Sequence, residues 1–228
     1  KGEKILEITG ILNGTTNFIL TKMDKEGASF ETVLKEAQDL GYAERNPEAD
    51  VEGYDTCRKI AILTAVATGK EVDYEKVPTE GITKITGLDS SYAACMGAAI
   101  KLFGTSINRD GKVYLEVAPV LVDAKDPLYA VTDVFNGIKV VGNMLGTSMF
   151  YGSGAGKLPT ASAVVADVVD CAKNKGRNIM MSWSEEKLDL LQIDDVKSRF
   201  FVRVSGHAAE RQSEIEELFG KVEIVAVP

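Results

Sequence analysis

Apolar residues recur at helical spacing through the first third of the chain. In "SFETVLKEAQDLG" they return every three or four positions, which predicts a helix with Ser29 as its N-cap and a stop at Gly41. "NGTTN" is typical of a helix start and predicts a helix over about 16–25. A third helical pattern, "VEGYDTCRKIAILTAVATG", predicts a long helix that ends at Gly69 and has Asp50 as its candidate N-cap.

Strand-forming runs follow this helical region. "IKLFGTSINRDGKVYLEVAPVLV" predicts two strands joined by a tight turn. "FNGIKVVGNML" and "TSMFYG" predict two more, in addition to a β-prone run over 4–11, and "PTASAVVADVVDCAKNK" predicts a helix with Pro159 in its first turn. Because helices and strands are segregated along the chain, we expect an α+β fold, a mixed and mainly antiparallel sheet with helices packed on one face.

The C-terminal part of the chain has a different character. Residues 175–198 are charged and irregular, which is typical of a linker, and the last thirty residues predict a strand, a helix and a strand. A unit that small cannot bury a core of its own and must pack on something else. We therefore expect a main domain over 1–183, followed over 184–228 by a linker and a small βαβ unit.

The composition of the chain limits the kinds of molecule that it is expected to bind. The net charge of −8 argues against a nucleic acid or an anionic membrane, since both need clustered Lys and Arg. Cys57, Cys95 and Cys171 form no CxxC pair and His207 is the only histidine, so no metal site is expected. No apolar stretch approaches the roughly 18 residues of a membrane helix. We expect a cytoplasmic protein with small-molecule or protein partners.

"GYAERNPEADVEGYDTCRK" concentrates charged residues between two apolar runs. Asp55 and Lys59 are four residues apart and so share one face of the predicted helix. One interpretation is an exposed ion pair worth about 0.3–0.5 kcal/mol. The other is a cleft in which Lys59 acts as a general acid and Glu44 anchors a cationic group of a substrate. The pattern by itself leaves both open.

Two glycine-containing turns also have two interpretations. "NGTTN" offers hydroxyls and backbone N–H groups at a helix start, which would suit a carboxylate ligand, but ordinary helix capping explains the same residues. "GSGAGKLPT" would let a phosphate or a flat ring approach the backbone. It does not match GxGxxG, and no βαβ unit with an acidic ribose ligand surrounds it.

Three segments together resemble the homoserine dehydrogenase family over its catalytic and dimerisation region: "GILNGTTNFILTKM", "AQDLGYAERNPEADVEGYDTCRKIAIL" and "GSGAGKLPTASAVVADV". They occur in the family's order over roughly residues 4–175. The second segment is the specific one. The residues that stand there at the family's spacing are Ala37, Gly41, Tyr42, Ala43, Glu44, Pro47, Asp50, Gly53, Asp55 and Lys59.

The resemblance implies a reaction and a role for each polar residue. Members of the family reduce L-aspartate 4-semialdehyde to L-homoserine with NADPH or NADH, a step toward threonine, methionine and isoleucine. By this resemblance Lys59 donates a proton to the aldehyde oxygen and Asp55 positions it. Glu44 would bind the α-ammonium group of the substrate, and Asp50 would be a further polar contact.

The resemblance also implies where the cofactor and partners bind. Gly14 and Thr15 would line the substrate cleft, Gly156 and Thr160 would lie near the nicotinamide, and the chain would form a homodimer. The family's N-terminal Rossmann domain, which binds most of the NADP or NAD, is not among these 228 residues. We therefore expect a fragment that is inactive in isolation.

The C-terminal unit resembles part of an ACT domain, with "GHAAERQ" in place of that domain's usual ligand loop, so effector binding is left open. The alternative to an enzyme is an oligomerisation and amino-acid-sensing module without dehydrogenase chemistry. Such a module would need neither Lys59 with Asp55 nor "GSGAG" before a helix. Both are present, which favours the dehydrogenase.

Overall fold

A computed structural model of the chain describes residues 2–109, 111–177 and 184–225. The strands are β1 (Ile5–Ile11), β2 (Lys70–Glu71), β3 (Ala98–Arg109), β4 (Lys112–Asp123), β5 (Phe135–Gly142), β6 (Gly146–Ser153) and β7 (Ser184–Lys187). The helices are α1 (Gly14–Glu26), α2 (Phe30–Asp39), α3 (Glu48–Val51), α4 (Tyr54–Thr68), α5 (Gly87–Cys95), α6 (Lys157–Lys173) and α7 (Gln212–Phe219). Short 3₁₀ turns cover Tyr74–Lys76, Pro127–Ala130, Ile193–Asp195 and Ala208–Arg211.

Five strands form one antiparallel sheet in the order β4-β3-β1-β5-β6. β3 and β4 are a hairpin, as are β5 and β6, and β1 lies between the two hairpins with an antiparallel partner on each side. This confirms the predicted mainly antiparallel sheet and the predicted β3–β4 hairpin, and it shows that the two strands predicted after them, β5 and β6, also pair as a hairpin. β2 and β7 form a separate, short parallel pair. The described strands are therefore mainly antiparallel with one parallel pairing, as the predicted mixed sheet requires.

The main core lies between one face of the sheet and the helices. β4 contributes Val113, Leu115 and Val117, which alternate along the strand, and α1 contributes Ile19 and Met23, which are one turn apart. The prediction of helices packed on one face of a sheet is therefore confirmed. A smaller cluster lies on the other face and consists of Ile11, Phe103, Val122, Leu128 and Val131.

Local signals set most helix ends where the sequence predicts them. The Ser29 hydroxyl accepts a hydrogen bond from a backbone N–H in the first turn of α2, and Gly69 ends α4 in the left-handed conformation. The helix predicted over 16–25 is α1, with the side chain of Asn13 as its N-cap. Capping therefore explains "NGTTN" at least in part, as the sequence favoured.

Asp50 is not the N-cap of α4, so that prediction was wrong. It lies inside α3, and α4 begins after Gly53, whose φ of 80° favours glycine. A Cβ atom at Gly53 would also lie only 3.1 Å from Val117 on the sheet. The chain turns sharply at Gly53, and the Asp50 carboxylate is left for other contacts.

The C-terminal helix is present as α7, but the segments on either side of it are not strands among the described residues. The strand–helix–strand prediction is corrected there, because a strand needs a paired neighbour and residues 199–207 and 221–225 have none in the described part of the chain. The predicted linker is tied to the main body where β7 pairs with β2. Residues 178–183 lie outside the described residues, and the domain boundary at 183 and 184 stays a prediction.

The segment before α7 contacts α5. Arg203 Nη1 donates to Asp89 Oδ2 and to Thr86 Oγ1, both at 2.7 Å. The Phe201 ring packs against Tyr92 with 5.6 Å between ring centroids. One ion pair and one aromatic contact therefore join the C-terminal segment to the main body.

α6 is the helix predicted with Pro159 in its first turn, and none of its residues is buried. Its valines Val164, Val165 and Val168 are 57%, 60% and 62% exposed. Within the described parts of the chain, no helix has both the length and the apolar character needed to cross a membrane.

Candidate active site

Lys59 and Asp55 form the ion pair predicted from their spacing on α4. Lys59 Nζ lies 2.7 Å from Asp55 Oδ2 and donates at 3.1 Å to the backbone oxygen of Leu12, just past the end of β1. The side chains are 47% and 31% exposed, so the pair is open to solvent. An ammonium group has three N–H donors, and these two contacts leave one for a ligand.

Asn13 connects this pair to Asp50. Its Nδ2 donates at 2.9 Å to Asp55 Oδ2 and at 2.7 Å to Asp50 Oδ1, while its Oδ1 accepts from the Thr16 N–H at 2.9 Å. One buried carboxamide therefore joins the start of α1 to α3 and α4. Asn13 was not predicted as a site residue, although its place in the "NGTTN" helix start was a signal.

The electrostatic environment raises the pKa of Asp50. Burial of the carboxyl group is the largest cause, and the nearby charges of Asp55 and Glu44 act in the same direction. The hydrogen bond from Asn13 and the charge of Lys59 oppose this shift. Three carboxylates and one ammonium are therefore close enough to influence one another.

The loop between α2 and α3 carries Glu44 toward this cluster. Its backbone is fixed on two sides, because Gln38 Nε2 donates to the Glu44 oxygen at 3.1 Å and Thr15 Oγ1 donates to the Tyr42 oxygen at 2.6 Å. The Glu44 side chain is exposed. Among the described residues no hydrogen bond or ion pair engages its carboxylate, which suits a group that binds a cationic ligand.

Gly14 follows Asn13 and lies against the chain that enters β5. A Cβ atom there would be 2.7 Å from the Val134 backbone oxygen and 3.6 Å from Asn136 Oδ1. Any larger residue would push the start of α1 away from this contact. The predicted pair Gly14 and Thr15 thus stands at the junction of α1, the Glu44 loop and β5.

The glycine run "GSGAG", residues 152–156 at the end of β6, packs near the same start of α1. A Cβ atom at Gly154 would overlap the carboxamide of Asn136. Gly14 and Gly154 therefore both pack against the side chain of Asn136. Asn136 Oδ1 is buried and has no hydrogen-bond partner among the described residues. Asn136 could not be predicted from the sequence, because its contacts Gly14 and Gly154 are distant or unpatterned along the chain.

The predicted cofactor residues Gly156 and Thr160 lie where this run becomes α6. The Thr160 N–H donates to the Gly156 oxygen at 3.0 Å in the first helical turn, and the Thr160 side chain is exposed. Gly152 has open space where a side chain would be, and the first turn of α6 has no acidic residue. Open backbone and a helix start without acidic residues fit one end of a nucleotide cofactor.

The structure therefore brings Asp50, Asp55 and Lys59 together around Asn13, and Gly14 and Thr15 follow Asn13 as the first residues of α1. It places Glu44 close enough to affect Asp50, and it places the glycine run beside Gly14. Across the residues that the structure describes, no group of three or more His, Cys, Asp or Glu could hold a metal ion. A separate cavity of about 500 Å³ lies at the opposite end of β1 and contains none of these residues.

Sequence comparison places the chain among known enzymes. The sequence model of the homoserine dehydrogenase family matches residues 1–169. The homoserine dehydrogenase of Bacillus subtilis (strain 168) is 48% identical over 172 residues, which are 75% of this chain and 40% of the relative. That of Synechocystis sp. (strain PCC 6803) is 42% identical over 214 residues, 89% of this chain and 49% of the relative. The chain spans less than half the length of these two relatives.

Solved structures agree with the sequence comparison. A homoserine dehydrogenase from Thiobacillus denitrificans superposes with a TM-score of 0.79 at 38% identity, over 85% of this chain and 47% of that one. A hyperthermophilic archaeal homoserine dehydrogenase mutant in complex with NADPH gives a TM-score of 0.64 at 31% identity, over 78% of this chain and 50% of that one.

Proposed function

The chain belongs to the homoserine dehydrogenase family, and we propose that it forms the substrate-binding and proton-donating part of an NAD(P)-dependent homoserine dehydrogenase. The reaction would interconvert L-aspartate 4-semialdehyde and L-homoserine. The observation that carries this proposal is the Lys59–Asp55 pair, held at 2.7 Å beside Asn13 and Asp50.

Lys59 would act at the aldehyde oxygen of the substrate. Reduction of an aldehyde develops negative charge on that oxygen, and an ammonium group both offsets the charge and supplies the proton. Asp55 and the Leu12 backbone oxygen hold the ammonium in place. The third N–H of the ammonium is the one available to the substrate.

The remaining polar groups would bind the amino-acid end of the substrate. The exposed Glu44 carboxylate suits the α-ammonium group, with Asp50 as a second contact. Gly14 and Thr15 are the first residues of α1, where backbone N–H groups suit a carboxylate. This division leaves Lys59 for the reacting carbonyl group.

The nicotinamide cofactor, NADP or NAD, would exchange the hydride with the substrate. Gly156 and Thr160 would hold its nicotinamide end, and the close packing of Gly154 on Asn136 would fix the glycine run near the substrate. The described residues contain no doubly wound parallel sheet. We expect the rest of the cofactor surface to come from the part of the relatives that this chain does not cover.

We also propose a cytoplasmic homodimer that serves threonine, methionine and isoleucine biosynthesis. The sheet face away from the helices has partly buried apolar residues that a second copy could cover, among them Ile107, Val120 and Val141. Sedimentation of the chain at micromolar concentration tests this, and a monomer there would count against the dimer.

The decisive variant is Lys59→Ala in the full-length protein, or in this chain joined to the N-terminal part of the Bacillus subtilis relative. We expect kcat to fall by about 10²–10⁴, with a smaller change in KM, because the proton donor is lost. Lys35→Ala is the matched control, since Lys35 and Asp39 form an exposed pair at the same spacing on α2.

Two results would contradict the proposal. Full turnover by Lys59→Ala would remove the lysine from the chemistry. An inactive parent enzyme would leave the amino-acid-sensing module as the better interpretation. The isolated 228-residue chain serves as a further control, and we expect it to show no steady turnover of aspartate semialdehyde.

A further inference from the structure

Asn13 makes more polar contacts in the candidate site than any of the residues predicted from the sequence. Its side chain is 6% exposed. Both N–H bonds of its amide point to carboxylates, one on α3 and one on α4, and its oxygen caps α1. Two of the three contacts join residues that are 37 and 42 positions away from it in the chain.

We propose that Asn13 is a positioning residue for the reaction: its amide holds Asp50 and Asp55 side by side, and through Asp55 it fixes the Lys59 ammonium. This inference rests on the proposed role of Lys59. Asn13 itself does not touch the reacting atoms in this scheme, and it acts through the two carboxylates.

The chemistry of the side chain explains why asparagine stands here. Capping a helix needs only an acceptor, which Ser, Thr or Asp supplies equally well. Bridging two carboxylates needs two donors on one short side chain, and among the good N-cap residues only Asn has them. Asn13 satisfies both requirements with one carboxamide. Its hydrogen bonds to the two carboxylates are not needed for capping, so they call for a separate explanation.

The hydrogen bonds from Asn13 to Asp50 and Asp55 also stabilise negative charge at a site where several carboxylates are close together. Asp50 is surrounded by Asp55 and Lys59 on α4 and by Glu44 in the preceding loop. Like charges at such sites favour protonation of one carboxylate. The amide of Asn13 donates to the ionised form of Asp50 and lowers its pKa against burial and against its acidic neighbours. Without the amide, Asp50 would keep its proton to higher pH, and Asp55 would lose one of its two donors.

The first test uses the 228-residue chain and needs no catalysis. The Asp50 carboxyl group is titrated by ¹³C NMR in the parent, in Asn13→Ser and in Asn13→Asp, both of which keep a capping oxygen. We expect the Asp50 midpoint to rise by about one pH unit in Asn13→Ser. It should rise further in Asn13→Asp, which adds a third carboxylate to the pair.

The matched control is Asn108→Asp, the same chemical change near the end of β3, where Asn108 Oδ1 accepts from the Gly111 N–H. It should leave the Asp50 midpoint unchanged. An unchanged midpoint in folded Asn13→Ser would overturn the proposal. So would loss of the folded circular dichroism spectrum in both Asn13 variants, since the amide would then serve stability alone.

The second test measures the full-length enzyme. We expect Asn13→Ser to lower kcat by about tenfold to a hundredfold through misplacement of Lys59, with KM changed much less. Its pH–rate profile should shift toward higher pH with Asp50. A kcat equal to that of the parent would contradict the proposal. If the parent enzyme itself has no activity, the proposed function fails while the titration still decides the role of Asn13.

Discussion

At the scale of single residues, Lys101 is a buried cation outside the candidate site. It is 3% exposed, and its Nζ donates to the Val131 backbone oxygen at 2.6 Å and to Asn17 Oδ1 at 3.3 Å. Burial lowers the pKa of Lys101 to about 8. Asn17 in turn donates to the Phe135 oxygen, so this lysine helps to tie β3 to α1 and to the start of β5.

Lys101 should make stability depend on pH between 8 and 10. In this range the unfolded chain keeps the Lys101 proton and the folded chain releases it, so the free energy of unfolding rises with pH. Lys101→Met should remove this rise, whereas Lys35→Met, at an exposed lysine, should retain it. Urea unfolding at pH 7 to 10 measures the slope.

Two other groups oppose this rise. Burial raises the pKa of the Cys57 thiol above its usual 9.0, so the folded chain keeps that proton longer as the pH passes 9, and Tyr114 acts in the same direction above pH 10. Burial raises the pKa of Tyr114 to about 12, so the folded chain keeps that proton longer than the unfolded chain, and stability falls with pH from about 10 upward. Equal slopes below pH 10 in the parent and in Lys101→Met would mean that Lys101 stays charged in the folded chain.

The sequence predicted some of these contacts and missed others for a geometric reason. Lys59 and Asp55 are one helical turn apart, so periodicity alone brings them together. Asn13 and Asp50 meet only because β1 ends beside α3, and their separation of 37 residues hides the contact. The prediction that Asp50 is the N-cap of α4 was wrong because the chain turns at Gly53, between α3 and α4.

At the scale of elements, α5 and the loop before it connect the C-terminal segment to α3. Arg203 contacts Asp89 near the start of α5. The loop before α5 is joined to α3 by the Ile82 N–H, which donates to the Val51 oxygen at 2.8 Å. α3 carries Asp50, so a short series of contacts leads from the C-terminal segment to the candidate site.

Arg203→Met should loosen the C-terminal segment and leave the main body intact. Asp89 keeps its bond from the Thr86 N–H, so α5 should remain capped. We expect cleavage by chymotrypsin after Phe200 and Phe201 to become several-fold faster, because local opening limits proteolysis. Mass spectrometry of timed digests gives the rate.

Arg211→Met is the control for this experiment, because Arg211 pairs only within its own turn, with Glu214, among the described contacts. It should leave the rate of cleavage at Phe200 and Phe201 unchanged. Equal rates for Arg203→Met and the parent would show that the Arg203 contact does not restrain the segment.

Helices and strands were predicted correctly where residues close to them in the sequence determine them. Caps, glycine stops and hairpin turns are coded within a few residues, and the helices and the β3–β4 hairpin followed from them. The C-terminal strands were wrong because strand propensity describes a chain that has a neighbour to pair with. The predicted α7 is present because its hydrogen bonds are internal.

At the scale of the whole molecule, the apolar surface is unevenly placed. The sheet face toward α1, α2 and α4 is closed by the core, whereas α6 presents several valines to solvent. Burial is what makes an apolar side chain stabilising. The exposed valines of α6 therefore contribute little to the stability of this chain.

This difference predicts the outcome of two valine substitutions. Val168→Glu, at a side chain that is 62% exposed, should change the free energy of unfolding by less than about 0.5 kcal/mol. Val33→Ala, at a residue that is 1% exposed, should lower it by about 2 kcal/mol. Chemical denaturation measures both, and a larger loss in Val168→Glu than in Val33→Ala would mean that α6 is packed in solution.

The central position of β1 sets the order of assembly during synthesis. Glu7 pairs with Ile107 on one side and with Val141 on the other, so the middle strand emerges from the ribosome long before either partner. The hairpins β3–β4 and β5–β6 can form from neighbouring residues, while β1 must wait for both of them. Long-range pairing of this kind slows folding, and an unpaired apolar strand during that wait invites capture by a chaperone or by another nascent chain.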